Sequence, residues 1–188
     1  MHHHLIMPAE PALRLATSAD IPSITALIEA SVRGLSFGWY DAAEIDESLV
    51  TIFGVDSQLI ADGTYFVIEI DGVLAASGGW SRRATLYGGD QANTHGGADP
   101  LLDPERDAAR IRAFYVSPAF ARRGLGRLLY ATCEAAALAG GFHRLQLGAT
   151  LPGVPLYEAL GFHALERRQY PMRNGLSIGV VHMERAIP

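Results

Sequence analysis

Residues Arg110 to Tyr130 read RIRAFYVSPAFARRGLGRLLY, and the change of pattern inside this stretch decides the fold. Ile111, Ala113, Phe114, Tyr115 and Val116 form a nearly continuous apolar run, as in a strand buried on both faces. The run stops at Ser117-Pro118, where proline withholds the amide that a ladder needs. Beyond it Leu125, Leu128, Leu129, Thr132, Cys133 and Ala136 recur at helical spacing, so a helix is expected from about Gly124 with one stripe turned to a core.

The turn between strand and helix carries the chemistry. A helix start exposes unpaired N–H groups and a partial positive charge, and Gly124 and Gly126 place no side chain in the way of an approaching phosphate. Arg122, Arg123 and Arg127 add full charges, and no Asp or Glu occurs from Ala108 to Cys133. Taken alone, the turn is either a diphosphate cradle or an exposed arginine-rich turn before an ordinary helix. ARRGLGRLL after a strand ending VSP resembles the acyl-CoA-binding motif of the GNAT superfamily of N-acetyltransferases, whose usual form is Gln or Arg, two residues, Gly, one residue, Gly or Ala. Ala121 departs from that form at the first position, which removes a side-chain contact and leaves the backbone amides.

Working outward, 188 residues at 49% hydrophobic content suffice for one well-buried domain, expected over residues 11–188, with residues 1–10 as a disordered tail. No apolar run reaches membrane-spanning length and MHHHLIM lacks a signal-peptide core, so a cytoplasmic protein without membrane partners is expected. All 15 positive residues are arginine, which with abundant Ala and Gly suggests a GC-rich bacterial coding sequence. A net charge of −5 argues against nonspecific nucleic-acid binding. The single Cys133 lies on the apolar stripe of the helix, where a small core residue is the default.

Leu13 to Ala16 is a strand candidate, and Thr17-Ser18-Ala19-Asp20 a cap for a helix with Ile21, Ile24, Leu27 and Ile28 on one face. RGLSFGWY over 33–40 sets Phe37, Trp39 and Tyr40 among glycines, as pocket wall or as a plug at the core edge; Ala42 to Ile60 reads mostly as helix. Thr64 to Ile70 and Val73 to Trp80 flank Asp71-Gly72 and should form a hairpin. From Ser81 to Asp107 regularity disappears among paired glycines and acidic residues. A substrate-facing lid or acidic rim and a solvated insertion both fit, whereas Asp90, His95 and Asp99 match no familiar metal spacing, so no metal is expected. After the central helix, Gly140-Gly141 is a stop, Leu145, Leu147 and Ala149 alternate as a strand, and Val154 to Leu160 reads as a short helix between Pro155 and Gly161. Phe162 to Tyr170 and Ile178 to Arg185 supply the last strands around Asn174-Gly175.

LYEALGF resembles the second GNAT signature, in which a tyrosine on a short helix precedes a Gly-Phe turn. The two signatures together imply an α+β domain: a mixed, mostly antiparallel sheet of six to seven strands flanked by helices, with a central parallel pair that splays to admit acyl-CoA. The resemblance further implies acetyl-CoA as co-substrate. Its diphosphate would lie on the amides of Arg123 to Leu128, covering Gly124, Leu125, Gly126 and Arg127, with Arg122 beside them, and its pantetheine arm along Phe114, Tyr115 and Val116 and near Thr150. Attack by a primary amine of a small molecule or peptide on the thioester, in a ternary complex, creates an oxyanion and expels a thiolate. A backbone N–H near Val116 is the candidate for the oxyanion, and Tyr157 the candidate acid for the sulfur. Many members place a glutamate base on the central strand; here Arg110 stands there, which leaves Asp107, Glu105, a water chain or a less basic acceptor. A catalytically silent acyl-CoA sensor is the alternative of another class, and a homodimer is left open. A nucleotide-binding module is disfavoured because no Lys follows the glycines.

Overall fold

The computed structural model describes residues 10–93 and 99–188. The expected tail therefore lies outside the described residues apart from Glu10, and so does His95 of the metal reading. Seven strands, β1 (Ala12–Leu15), β2 (Tyr65–Ile70), β3 (Val73–Ser81), β4 (Ala109–Val116), β5 (Arg144–Thr150), β6 (His163–Pro171) and β7 (Ser177–Ala186), form one sheet. Their spatial order is β1-β2-β3-β4-β5-β7-β6, antiparallel throughout except between β4 and β5. The helices are α1 (Ile21–Leu35), α2 (Ala42–Thr51), α3 (Ser57–Ala61), α4 (Leu125–Ala139) and α5 (Val154–Ala159). Among the described residues no helix is long and apolar enough to cross a membrane.

The helical stripe read in the sequence puts Leu125, Leu129, Tyr130, Cys133 and Ala137 of α4 against the sheet. Tyr130, Cys133 and Ala137 share a core with Leu145, Leu147 and Ala149 of β5, while Leu125 and Leu129 pack with Ile68 and Ala76. Each fully buried leucine in that stripe contributes about 1.5–3 kcal/mol. α1, α2 and α3 cover the other side through Ile24, Ile28, Ile45 and Leu59. The single helix expected over 42–60 is two, because Ile52 leaves helical geometry (φ −126°) and Asp56 starts α3 anew by accepting from the Leu59 amide at 3.3 Å.

Two irregularities shape the centre of the sheet. Four β4 residues, Arg112 to Tyr115, face three β3 residues, Ser77 to Gly79, and the bulge holds Ala113 at φ 58°. A left-handed alanine costs about 1–2 kcal/mol, so packing on both sides must hold it there. The parallel pairing of β4 with β5 covers two positions, Ala109↔Leu145 and Arg110↔Gln146. Beyond them β4 stays with β3 to Val116 and β5 stays with β7 to Thr150, which opens a gap between the two central strands.

Beside the narrow end of the gap is a polar cluster in which Arg110 donates to Gln146 Oε1 and Gln146 Nε2 donates to Glu184 Oε2 at 2.6 Å. His182, opposite Gly148 and Glu166, has a buried Nε2 with no hydrogen-bond partner among the described residues. Burial first, then Arg110 and Arg168, hold its pKa below the usual histidine value, against the pull of Glu166 and Glu184. An unfolded chain thus takes up this proton at a higher pH than the folded one, so His182 makes stability rise with pH between its folded pKa and ~6.5. Urea unfolding should show the native protein losing more stability than His182→Gln between about pH 7 and pH 5. Equal losses would contradict this.

Candidate active site

Gly124 adopts φ 80°, a conformation other residues take only with strain, and swings the chain from the basic turn into α4. The first bond of the helix runs from the Leu128 amide to the Gly124 carbonyl at 3.0 Å. The amides of Leu125, Gly126 and Arg127 therefore precede the first intrahelical donor, and no acidic side chain occupies that turn. Leu128 is a correction to the expected cradle, since its amide is bonded within the helix. The Leu125 side chain is buried in the core, so this residue offers its amide alone. Arg122, Arg123 and Arg127 are exposed around the turn, Arg122 at φ 65° and the Arg123 guanidinium 5.3 Å from the Phe120 ring.

A cavity of about 240 Å³ fills the gap between β4 and β5. Phe114, Tyr115, Val116, Gly126, Thr150 and Tyr157 all line it, so the structure brings together these six of the residues named from the sequence. A Cβ on Gly126 would lie 3.0 Å from Leu156 Cδ2, which makes this glycine the hinge point where the helix start meets α5 and the cavity. The Val116 N–H, the candidate oxyanion donor, donates to Ser31 Oγ at 3.2 Å, and Ser31 lines the same cavity. The hydroxyl and the amide thus form one polar spot on an otherwise largely apolar wall.

The Tyr157 ring is fixed edge-on to Phe162 at 5.7 Å and lies 6.4 Å from Phe114. Among the described residues its hydroxyl has no hydrogen-bond partner. Burial, with a smaller contribution from nearby Cys133, pushes that hydroxyl well above the ordinary tyrosine range, so it keeps its proton at any working pH. Cys133 is fully buried and burial likewise raises its thiol, which fits the core role expected of it.

The acceptor-side expectations fare unevenly. Tyr40 is a structural tyrosine, donating to the Gly179 carbonyl and accepting from the Leu151 amide, both at 2.7 Å, and burial raises its pKa to about 12. Trp39 is 50% exposed and Phe37 86% exposed, and neither belongs to the cavity wall. The acidic residues of the 81–107 segment act mainly as backbone acceptors. Asp90 caps α3 by accepting from Ser57, Asp99 accepts from the Thr85 amide, and Asp103 and Asp107 close a turn. Glu105 and Asp107, the base candidates, do not line the cavity. Leu86 to Gly89 of the same segment do.

Arg112 and Asp56 escaped notice in the sequence. Both are buried, their charged groups are 2.7 Å apart, and Arg112 also donates to the Gly88 carbonyl at 2.8 Å. The legible signal was Arg112 itself, a charge inside an apolar strand run, which must find a partner. That the partner lies 56 positions back, at the start of α3, no spacing rule announces.

No curated protein matches the chain in sequence. Among solved structures, a GCN5-related N-acetyltransferase from Rhodopseudomonas palustris superposes with a TM-score of 0.70 at 20% identity, over 97% of this chain and 99% of the other. The yncA protein from Salmonella typhimurium, solved with its cofactor acetyl-CoA, gives 0.62 at 20% identity over 96% and 95%. The paiA N-acetyltransferase from Thermoplasma acidophilum, solved with coenzyme A, gives 0.61 at 11% over 94% and 99%. At these identities the likeness is one of fold. The family model of the Acetyltransferase (GNAT) family matches residues 27–162, most of the chain, and with the sheet order, the splayed pair and the glycine-started helix described above it shows that this chain belongs to the GNAT acetyltransferases.

Proposed function

We propose that the protein transfers an acetyl group from acetyl-CoA to a primary amine, by direct attack in a ternary complex. The observation that carries this reading is the continuity of the site: the unpaired amides of Leu125 to Arg127 open directly, at Gly126, into the cavity between β4 and β5. The acetyl-CoA and coenzyme A bound in the yncA and paiA structures support it. Acetyl-CoA would supply the activated acyl group. The Leu125 to Arg127 amides and the exposed arginines would take its diphosphate, and the edge of β4 that β5 leaves unpaired would hold an extended arm by strand-like bonding.

Within the cavity the Val116 amide and Ser31 hydroxyl would stabilise charge on the thioester oxygen, and Tyr157 would deliver a proton to the departing sulfur. Neither Glu105 nor Asp107 is placed to take the proton of the amine, which must go to solvent or pass to the leaving group. The test is free-thiol release from acetyl-CoA in the presence of a panel of amines. Amine-dependent release with a matching acetylated product is expected. Binding of coenzyme A with no release for any amine would instead establish the silent sensor.

A further inference from the structure

The cavity lining includes the apolar and aromatic side chains Val32, Leu35, Phe53, Leu86, Tyr87 and Tyr115. Leu86 and Tyr87 belong to a segment whose backbone is fastened rather than loose. Gly89 N donates to Ile52 O at 2.8 Å, Asp90 N to Val55 O at 2.9 Å, and Gln91 Nε2 to Phe53 O at 2.5 Å. The Tyr87 ring is seated on bare backbone, because a Cβ on Gly148 would lie 2.5 Å from its Cδ1, and it packs edge-on against Tyr170 at 5.2 Å. This wall is therefore set before substrate arrives.

Its charge is as informative as its shape. The charged side chain among the described lining residues is Arg112, a cation, and no described carboxylate lines the space. Asp56 and the Gly88 carbonyl hold the guanidinium in place, and among the described residues its buried Nε has no hydrogen-bond partner. With that cation already paired to Asp56, the lining offers an ammonium group no carboxylate to pair with, and it suits a neutral molecule. Size narrows the choice further, since an apolar cavity of about 150 Å³ holds benzene, and the roughly 240 Å³ here must also take the acyl end of the co-substrate.

We infer that the acceptor is a small aromatic or heteroaromatic primary amine, neutral at pH 7, whose ring lies against the Tyr87 wall. The inference rests on the transferase reading and names its substrate class. The nitrogen lone pair of such an amine is already available. The C–N bond forms as the thioester C–S bond breaks, the electron pair leaves on sulfur, and the net proton goes from nitrogen to the thiol. An alkylamine of pKa ~10.4 is neutral in roughly one molecule in 10³ at pH 7 and would need a base that the described wall lacks.

The experiment compares aniline, benzylamine, spermidine and a lysine peptide with the full chain and acetyl-CoA, following thiol release from about pH 6.5 to pH 9. Aniline is expected to lead in kcat/KM by at least about tenfold, with a nearly flat pH profile. Faster turnover of benzylamine, spermidine or the peptide, or a rate for aniline rising about tenfold per pH unit, would overturn the inference and leave the transferase reading standing. Absence of turnover for every amine would sink the transferase reading and the inference with it. Tyr87→Ala, checked for folding by its thermal shift with coenzyme A, should lower the KM for 2-naphthylamine by about tenfold relative to aniline. If that variant does not fold, Leu86→Ala in the same wall takes its place, and unchanged selectivity in a folded variant refutes the wall.

Discussion

Gly126→Asp is expected to weaken acetyl-CoA binding by roughly 10²–10³-fold. A carboxylate placed about 4 Å from a diphosphate oxygen costs about 4 kcal/mol at the effective dielectric of a protein surface, and every 1.4 kcal/mol is a factor of ten. The substitution also sets bulk at the junction of α4, α5 and the cavity, where the Cβ alone comes within 3.0 Å of Leu156 Cδ2. Gly126→Ala separates the two effects. Its methyl meets the far end of a flexible leucine, which can turn away, so binding should fall by less than about tenfold. Titration calorimetry with acetyl-CoA reads both. An aspartate variant that keeps the native fold and binds within about threefold of the wild type would place the diphosphate elsewhere.

Tyr157→Phe should lower kcat while leaving acetyl-CoA affinity and stability nearly intact. Loss of a positioned acid costs roughly 10²–10⁴-fold in rate, and the effect shrinks where thiolate departure is not limiting, because a thiol of pKa ~8.5 leaves readily. The geometry makes the comparison clean. The ring supplies the contacts with Phe114 and Phe162, which phenylalanine retains, and the hydroxyl has no protein partner among the described residues to lose. Because burial keeps the hydroxyl protonated, the wild-type rate should show no loss from Tyr157 ionisation at alkaline pH where other groups still titrate normally. Tyr157→Ala removes the ring as well and should destabilise by about 3–5 kcal/mol. Full turnover in the Phe variant beside a destabilised Ala variant would reduce Tyr157 to a packing residue.

What was legible in the sequence shares one property: its causes are local. The Asp71-Gly72 turn, the Thr17–Asp20 cap, the Gly124 start of α4 and the Pro155–Gly161 bracket of α5 each depend on residues a few positions apart, and the structure holds all four. The splay of β4 from β5 was implied by resemblance alone. The bulge that accompanies it, with Ala113 at φ 58°, has no glycine to mark it, since tertiary packing overrides the local preference.

The 81–107 segment was least legible for the opposite reason. Asp90 and Asp99 look like free acids in a list of residues, but each accepts from a backbone amide, Ser57 for the first and Thr85 for the second, that only the folded chain brings near. Neither Asp90 nor Asp99 lines the cavity, whereas Leu86 to Gly89 of the same segment do, and the aromatic ring there is Tyr87, with neither Trp39 nor Tyr40 in the lining. Tyr40 shows how a buried polar tip decides a role: with both a donor and an acceptor partner at 2.7 Å, its hydroxyl is a tie between β7 and the end of β5.

The most direct test of the account is a crystal structure with coenzyme A and a single-ring amine bound. The account predicts the diphosphate on the amides of Leu125, Gly126 and Arg127, the arm in the gap between β4 and β5, and the sulfur within about 3–3.5 Å of the Tyr157 hydroxyl. A sulfur out of reach of Tyr157, or a diphosphate away from the start of α4, would contradict it.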